Sequence, residues 1–223
     1  MLLQEINQGV IPQLVMFDLD GTLVDSVPDL AYAVNGLLAD VSAKPVAEEQ
    51  VRQWVGNGAR KLVERALGHV GFYREEDINQ GLDRFKAHYR EHCAVDTRLY
   101  EGTLACLHSL RDQGISMGIV TNKPREFVPP ILKSLCIDEF FGIIVGGDDL
   151  PERKPSPAPL LSCVEQYGCK PAQAVMVGDS RNDIEAARRA GIAVAAVDYG
   201  YNHGNPIEDE QPDVVVSTLT MLC

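Results

Sequence analysis

At 223 residues, 45% hydrophobic and 23% charged, the chain has the composition of a soluble globular protein able to bury a sizeable core, as one domain or a core with an insert. A formal net charge of −12 without a basic run argues against a polyanionic backbone, and so against nucleic acid, as a partner. No apolar run reaches bilayer length, which argues against a membrane span, and the acidic N-terminal segment does not read as a signal peptide.

Leu14-Val15-Met16-Phe17 has the length and character of a buried strand. It delivers Asp18 and Asp20, then Gly21 and Thr22. Carboxylates just past a buried strand are costly to desolvate unless a metal or a partner holds them. Ligand sites in open α/β sheets lie at that end of the strands. Val27, Leu30, Ala31, Val34, Leu37 and Leu38 then fall at helical spacing. A short helix is predicted over 48–55, burying Val51, Trp54 and Val55. After the Asn57-Gly58 loop signal another carries Leu62, Val63, Ala66 and Leu67 on one face and stops at Gly68. A longer one is predicted over 75–93, burying Ile78, Leu82, Phe85 and Tyr89. No strand is read between about 26 and 96, so this stretch is an all-helical insert.

From Leu99 helices and strands alternate. Leu104, Leu107 and Leu110 mark a helix ended by Gly114, and 115–120 is a buried strand followed by Thr121, Asn122, Lys123 and Pro124. The next helical stretch must break or restart at Pro129-Pro130. A short strand at 143–145 and a stiff proline-rich loop at 154–159 precede a helix with Leu160, Leu161 and Val164. Strands at 174–177, 193–197 and 214–216, and a helix at 183–190, complete the set. The alternation predicts an α/β protein with a doubly wound parallel sheet and the strand ends at 17, 120 and 177 on one edge.

Asp18 is the candidate nucleophile, because a carboxylate can carry an aspartyl-phosphate. Asp20 points the same way from an extended chain and is the candidate general acid and base. Thr121 and Asn122 are candidate donors to phosphate oxygens, although the pair is also an ordinary turn or cap. Lys154 is a point charge aimed by its loop. Asp179 and Asp183 join Asp18 and the Asp20 main-chain carbonyl as the hard oxygens Mg²⁺ takes, with Asp183 doubling as first-turn helix charge. So many carboxylates beside a phosphate call for a divalent cation. Trp54 reads as core and His203 as a surface loop residue. The six cysteines lack a CxxC pair and fit reduced thiols in a cytoplasmic protein.

DLDGTLVDS at 18–26, Thr121-Asn122, Lys154 in KPSPAPL and GDSRNDIEAARRAG at 178–191 resemble, in order and spacing, the four motifs of the haloacid dehalogenase superfamily. The resemblance implies a Rossmann-like core of residues 1–22 and 99–223 with a helical cap of residues 23–98 closing over the site. It implies nucleophile and acid–base roles for Asp18 and Asp20, and phosphate binding by Thr121 and Lys154. It also implies Mg²⁺ held by Asp18, the Asp20 carbonyl and Asp179, with Asp183 assisting. VGNGARKLVERAL at 55–67 and YGYNHG at 199–204 are similar to the phosphoglycolate phosphatases within that superfamily. In that group the cap loop with Gly56, Asn57, Gly58 and Arg60 faces the nucleophile, which makes these the specificity candidates. Arg60 suits the carboxylate of 2-phosphoglycolate, and equally suits a solvated helix start. His203 and Glu101 depart from the tyrosine and proline usual at their positions. The implied protein is a cytoplasmic Mg²⁺-dependent phosphatase of a small phosphorylated metabolite, a monomer or homodimer. A broader sugar-phosphate phosphatase or a phosphomutase is the alternative. A non-catalytic binding protein would have lost a carboxylate or the lysine, and all are present.

Overall fold

The structure is a computed structural model that describes residues 1–223. Its strands are β1 (Leu14–Phe17), β2 (Val24–Asp25), β3 (Arg98–Leu99), β4 (Ser116–Val120), β5 (Phe141–Val145), β6 (Ala174–Gly178), β7 (Ala193–Val197) and β8 (Val214–Val216). Six of them form one parallel sheet in the order β5-β4-β1-β6-β7-β8. The chain therefore moves outward from β1 in both directions, and β1 lies at the switch point where ligands bind in such sheets. Phe17 is level with Ile119 on one side and Val177 on the other, so three strand ends arrive together as the apolar pattern predicts.

Every β1 residue is fully buried. Side chains alternate across a strand, and Val15 and Phe17 join one core with Leu107, Leu110, Ile131 and Leu132, while Leu14 and Met16 join another with Leu160, Ile184 and Ala187. The helices supplying these residues are α6 (Thr103–Asp112) and α7 (Val128–Ser134) on one face, and α8 (Ala158–Tyr167) and α9 (Arg181–Ala190) on the other.

Between β2 and β3, which pair antiparallel, the chain forms α2 (Val27–Asp40), α3 (Glu48–Arg52), α4 (Ala59–His69) and α5 (Glu75–His92). These helices share a core of their own, including Val34, Leu37, Val63, Phe85 and Tyr89, which Phe127 and Tyr201 of the sheet domain also enter. No helix is long and apolar enough to cross a membrane.

Several boundaries differ from the expected ones for local reasons. A first helix, α1 (Leu2–Ile6), is too short for its period to be read, yet it buries Leu3 completely. Helix α3 stops at Arg52, and turns carry the chain to Gly56, leaving Trp54 half-buried. Helix α4 continues past Gly68 to His69. Pro129 and Pro130 sit in the first turn of α7, where a missing N–H costs nothing. Helix α9 begins two residues before the predicted start because Ser180 and Asp183 form a capping box. His203 is half-buried and its Nδ1 lies 3.0 Å from the carbonyl of Gln53, so it bridges to the helical insert instead of standing free.

Candidate active site

The site grows from the end of β1. The backbone N–H of Asp18 donates to Val177 at 2.9 Å, which extends the ladder one residue and fixes where its side chain starts. One carboxylate oxygen accepts from the Leu19 N–H at 2.7 Å, and the other lies 3.0 Å from Lys154 Nζ. Lys154, 2% exposed, spends its remaining protons on the Val120 carbonyl and on Asp183 Oδ1, both at 2.6 Å. Asp183 Oδ2 accepts from the Ser180 hydroxyl at 2.7 Å, the Ser180 N–H at 3.1 Å and the Asp179 N–H at 3.3 Å. Asp179 accepts from Thr22 Oγ1 at 2.8 Å and the Tyr201 N–H at 2.6 Å. Its carboxylate is enclosed closely: a Cβ on Gly21 would lie 2.2 Å from Oδ2, and one on Gly200 2.2 Å from the Asp179 Cβ. Gly21 also has φ +86°, a second reason for glycine there.

Asp18, Asp179 and Asp183 bring carboxylate oxygens within 4.8 Å of one another, all buried. Burial, chiefly, pushes Asp18 up to about 6; Lys154 opposes this, while Asp183 and Asp20 add to it. Burial, and then Asp183 and Asp18, hold Asp179 well above the ordinary carboxylate range. Three carboxylates around one ammonium are under-compensated, and the donors are all hard oxygens, so the cluster fits a hard divalent cation. Asp183 differs from the other two. Its oxygens already accept from Lys154, Ser180 and the Asp179 backbone, so it supports the cluster from behind.

Asp20 is held separately. Ser26 Oγ donates to Oδ1 at 2.5 Å, and Lys123 Nζ donates to both oxygens, at 2.8 and 3.1 Å. The Lys123 ammonium also lies 4.8 Å from the centroid of the Tyr89 ring on α5. Lys123 is a site residue that the sequence pattern leaves unmarked; its place directly after Thr121-Asn122 at a strand end was the available signal.

Asn122 does not offer its amide to a ligand, contrary to expectation. Both N–H groups are in use, one on the Gly56 carbonyl at 3.1 Å and one on the Lys154 carbonyl at 3.0 Å. Asn182 donates to the same Gly56 carbonyl at 3.1 Å, so two core loops clamp one peptide of the insert. The backbone N–H groups of Asp20 and Asn122 have no hydrogen-bond partner within the protein. Thr121 Oγ1 accepts from the Lys123 N–H at 3.2 Å.

A cavity of about 40 Å³ closes over these groups, room for roughly three waters. Asp18, Asp20, Thr121, Asn122 and Lys123 form its floor, and Leu30, Val55, Leu62, Phe85 and Tyr89 its roof, with Gly56 and Gly58 at the side. Arg60 and Asn57 are absent from this wall. Arg60 turns outward to Glu75, to Asn79 Oδ1 at 2.8 Å and to Glu64 at 3.5 Å, because those acceptors ring its helix start. Asn57 Oδ1 accepts from Arg65 at 2.7 Å and so shapes the loop. In this arrangement neither side chain lines the cavity.

The family model for haloacid dehalogenase-like hydrolases matches residues 15–197. Phosphoglycolate phosphatase 1 of Pseudomonas aeruginosa is 48% identical over 213 residues, which is 94% of this chain and 78% of the relative. The phosphoglycolate phosphatase of Nitrosococcus oceani is 42% identical, covering 93% of each chain. A crystal structure of a predicted phosphoglycolate phosphatase from Haemophilus somnus superposes with a TM-score of 0.88 at 40% identity, over 93% of this chain and 94% of the other. Motif geometry, fold and relatives agree: the chain belongs to the haloacid dehalogenase-like hydrolase family.

Proposed function

We propose that the protein hydrolyses 2-phosphoglycolate, with the phosphoryl group carried transiently on Asp18. The observation that carries this reading is the pairing at one cavity floor of Asp18, oriented by Lys154, with a separately held Asp20. The unpartnered N–H groups of Asp20 and Asn122 and the Thr121 hydroxyl are the donors for the phosphate oxygens, and Lys154 supplies positive charge from behind Asp18. An Asp18 oxygen attacks phosphorus, forming the acyl-phosphate bond as the phosphorus–oxygen bond to glycolate breaks. Asp20 gives its proton to that leaving oxygen. Asp20 then takes a proton from the water that attacks phosphorus, and Asp18 departs as a carboxylate.

Asp18, Asp179 and the Asp20 main-chain carbonyl are the residues that would hold Mg²⁺, with Asp183 and Lys154 behind them. Bound there, the cation neutralises charge on the transferring phosphoryl group. Residues 1–22 and 99–223 act as the core and 23–98 as a cap hinged at β2 and β3, which excludes water while the intermediate exists. The names of the relatives favour a small substrate over a hexose phosphate.

Phosphate release from a panel of 2-phosphoglycolate, glucose 6-phosphate and other small esters tests the reading. A preference of at least about tenfold in kcat/KM for 2-phosphoglycolate, equivalent to 1.4 kcal/mol, is expected, along with loss of activity in EDTA. A flat profile would reject the substrate, and full activity in EDTA would reject the cation. Arg60→Ala should leave KM for 2-phosphoglycolate within about twofold of wild type, because surface ion pairs contribute little. A large rise in KM would return Arg60 to the site.

A further inference from the structure

We infer that Lys123 is a positioning residue through which the seated cap sets the orientation of Asp20. This rests on the reading of Asp20 as the proton donor to the leaving oxygen. Lys123 is only 5% exposed, and its ammonium spans both Asp20 oxygens, at 2.8 and 3.1 Å. The face of Tyr89 lies against the same ammonium, 4.8 Å from nitrogen to ring centroid. Tyr89 belongs to α5 of the cap and is fixed there by Phe85, at 5.6 Å between ring centroids, and by Phe127 of the core, at 4.8 Å. One lysine therefore has one partner in each domain. The other anchor of Asp20, Ser26, lies where hinge strand β2 passes into α2.

The physical consequence is an asymmetry between the two carboxyls. A lysine has a strongly hydrated head on a flexible stem, and an exposed aspartate–lysine pair is weak and mobile. Burial strengthens the attraction but strips water from the ammonium, and an aromatic face replaces part of what is lost. Both conditions require α5 to be packed down. With the cap lifted, water reaches Lys123 and Asp20 loses its fixed direction. Asp18 is held by Lys154 and the Leu19 N–H, both from the core, and makes no hydrogen bond to Lys123 or to the cap. The lysine fixes where the carboxyl points, and only a leaving group that needs a proton registers the difference.

Leaving-group dependence of kcat/KM reads this directly, since that constant reports transfer to Asp18 and excludes later hydrolysis of the intermediate. 2-Phosphoglycolate expels an alkoxide that must be protonated, whereas acetyl phosphate, of similar size, expels acetate. Lys123→Met and Tyr89→Leu should each lower kcat/KM for 2-phosphoglycolate at least about tenfold more than for acetyl phosphate, a fraction of the 10²–10⁴ that proton transfer supplies. Lys123→Arg and Tyr89→Phe, which keep the charge and the ring, should recover part of the difference. The double variant should lose no more than the worse single one, because both act through one contact. Equal losses on the two esters, or additive losses, would overturn the proposal. Asp20→Asn separates the two failures. If it too lowers both esters alike, the acid assignment falls; if it is selective while Lys123→Met is not, only the positioning role falls. Should Lys123→Met not fold, Tyr89→Leu carries the same comparison.

Discussion

Asp18→Asn is expected to be inactive and, without metal, more stable than the wild type. The activity loss should be on the order of 10⁴-fold or more, the scale on which removal of one member of a concerted catalytic group is felt. An amide cannot carry the phosphoryl group, so what remains is transition-state binding alone. The stability gain comes from the same burial that prepares the nucleophile. Asp18 is raised from 3.8 to about 6, chiefly by burial, against the pull of Lys154. A carboxyl whose folded pKa exceeds its unfolded one binds its proton more tightly in the native state. Stability therefore falls as pH rises from the unfolded pKa through about 6, and the full cost is present above that. At pH 7.5 the asparagine should gain about 1–3 kcal/mol, or several degrees in Tm for a chain of this size. Near pH 4 the difference should vanish. Thermal melts in EDTA across that range test the point. An inactive variant that is less stable at every pH would show that the partners of Asp18 outweigh its desolvation.

Much of the fold and part of the site are legible in the sequence because they are local. The apolar period identifies β1, β4 and β6, parallel topology brings their ends to one edge, and the residues just beyond them are Asp18, Thr121 and Asp179. What the sequence hides are choices among partners far apart in the chain. Nothing near Arg60 says that Glu75 and Asn79, on the next helix, will draw it outward. Asn122 reads as a phosphate donor until the Gly56 carbonyl, 66 residues away, accepts its amide N–H. Lys123 carries no mark in the sequence until Asp20, 103 residues away, becomes its partner. Asp183 reads as an assisting ligand and first-turn helix charge, and its pairing with Lys154, 29 residues away, is the part its local spacing does not show. Linear spacing reveals which groups reach the strand edge; the three-dimensional partners decide which of them stay free to act.

Lys154→Met should be the most destabilising single change in the site, as well as an inactive one. The lysine is 2% exposed and joins three acceptors that no other side-chain cation reaches: Asp18, Asp183 and the Val120 carbonyl. Methionine fills the space of the stem but strands two buried carboxylates. Breaking a buried pair from one side costs about 3–5 kcal/mol, because the surviving charge is left uncompensated. The part of that cost that belongs to ionised Asp18, raised to about 6, should be largest above pH 7 and shrink toward pH 5 as Asp18 regains its proton. This is the slope of the wild type in the same direction, made steeper. Arginine should not restore the site. Three acceptors converge on one compact nitrogen, and a planar guanidinium cannot meet that arrangement in a closed space. At Lys123, where the acceptor is a single carboxylate beside an aromatic face, the same change from lysine to arginine is tolerated in part. Urea unfolding at pH 5 and pH 8 tests the first claim: a loss of stability independent of pH would mean that packing, and not charge, is what Lys154 supplies. A Lys154→Arg variant as stable and active as wild type would show that the cluster needs only a positive charge and no particular geometry.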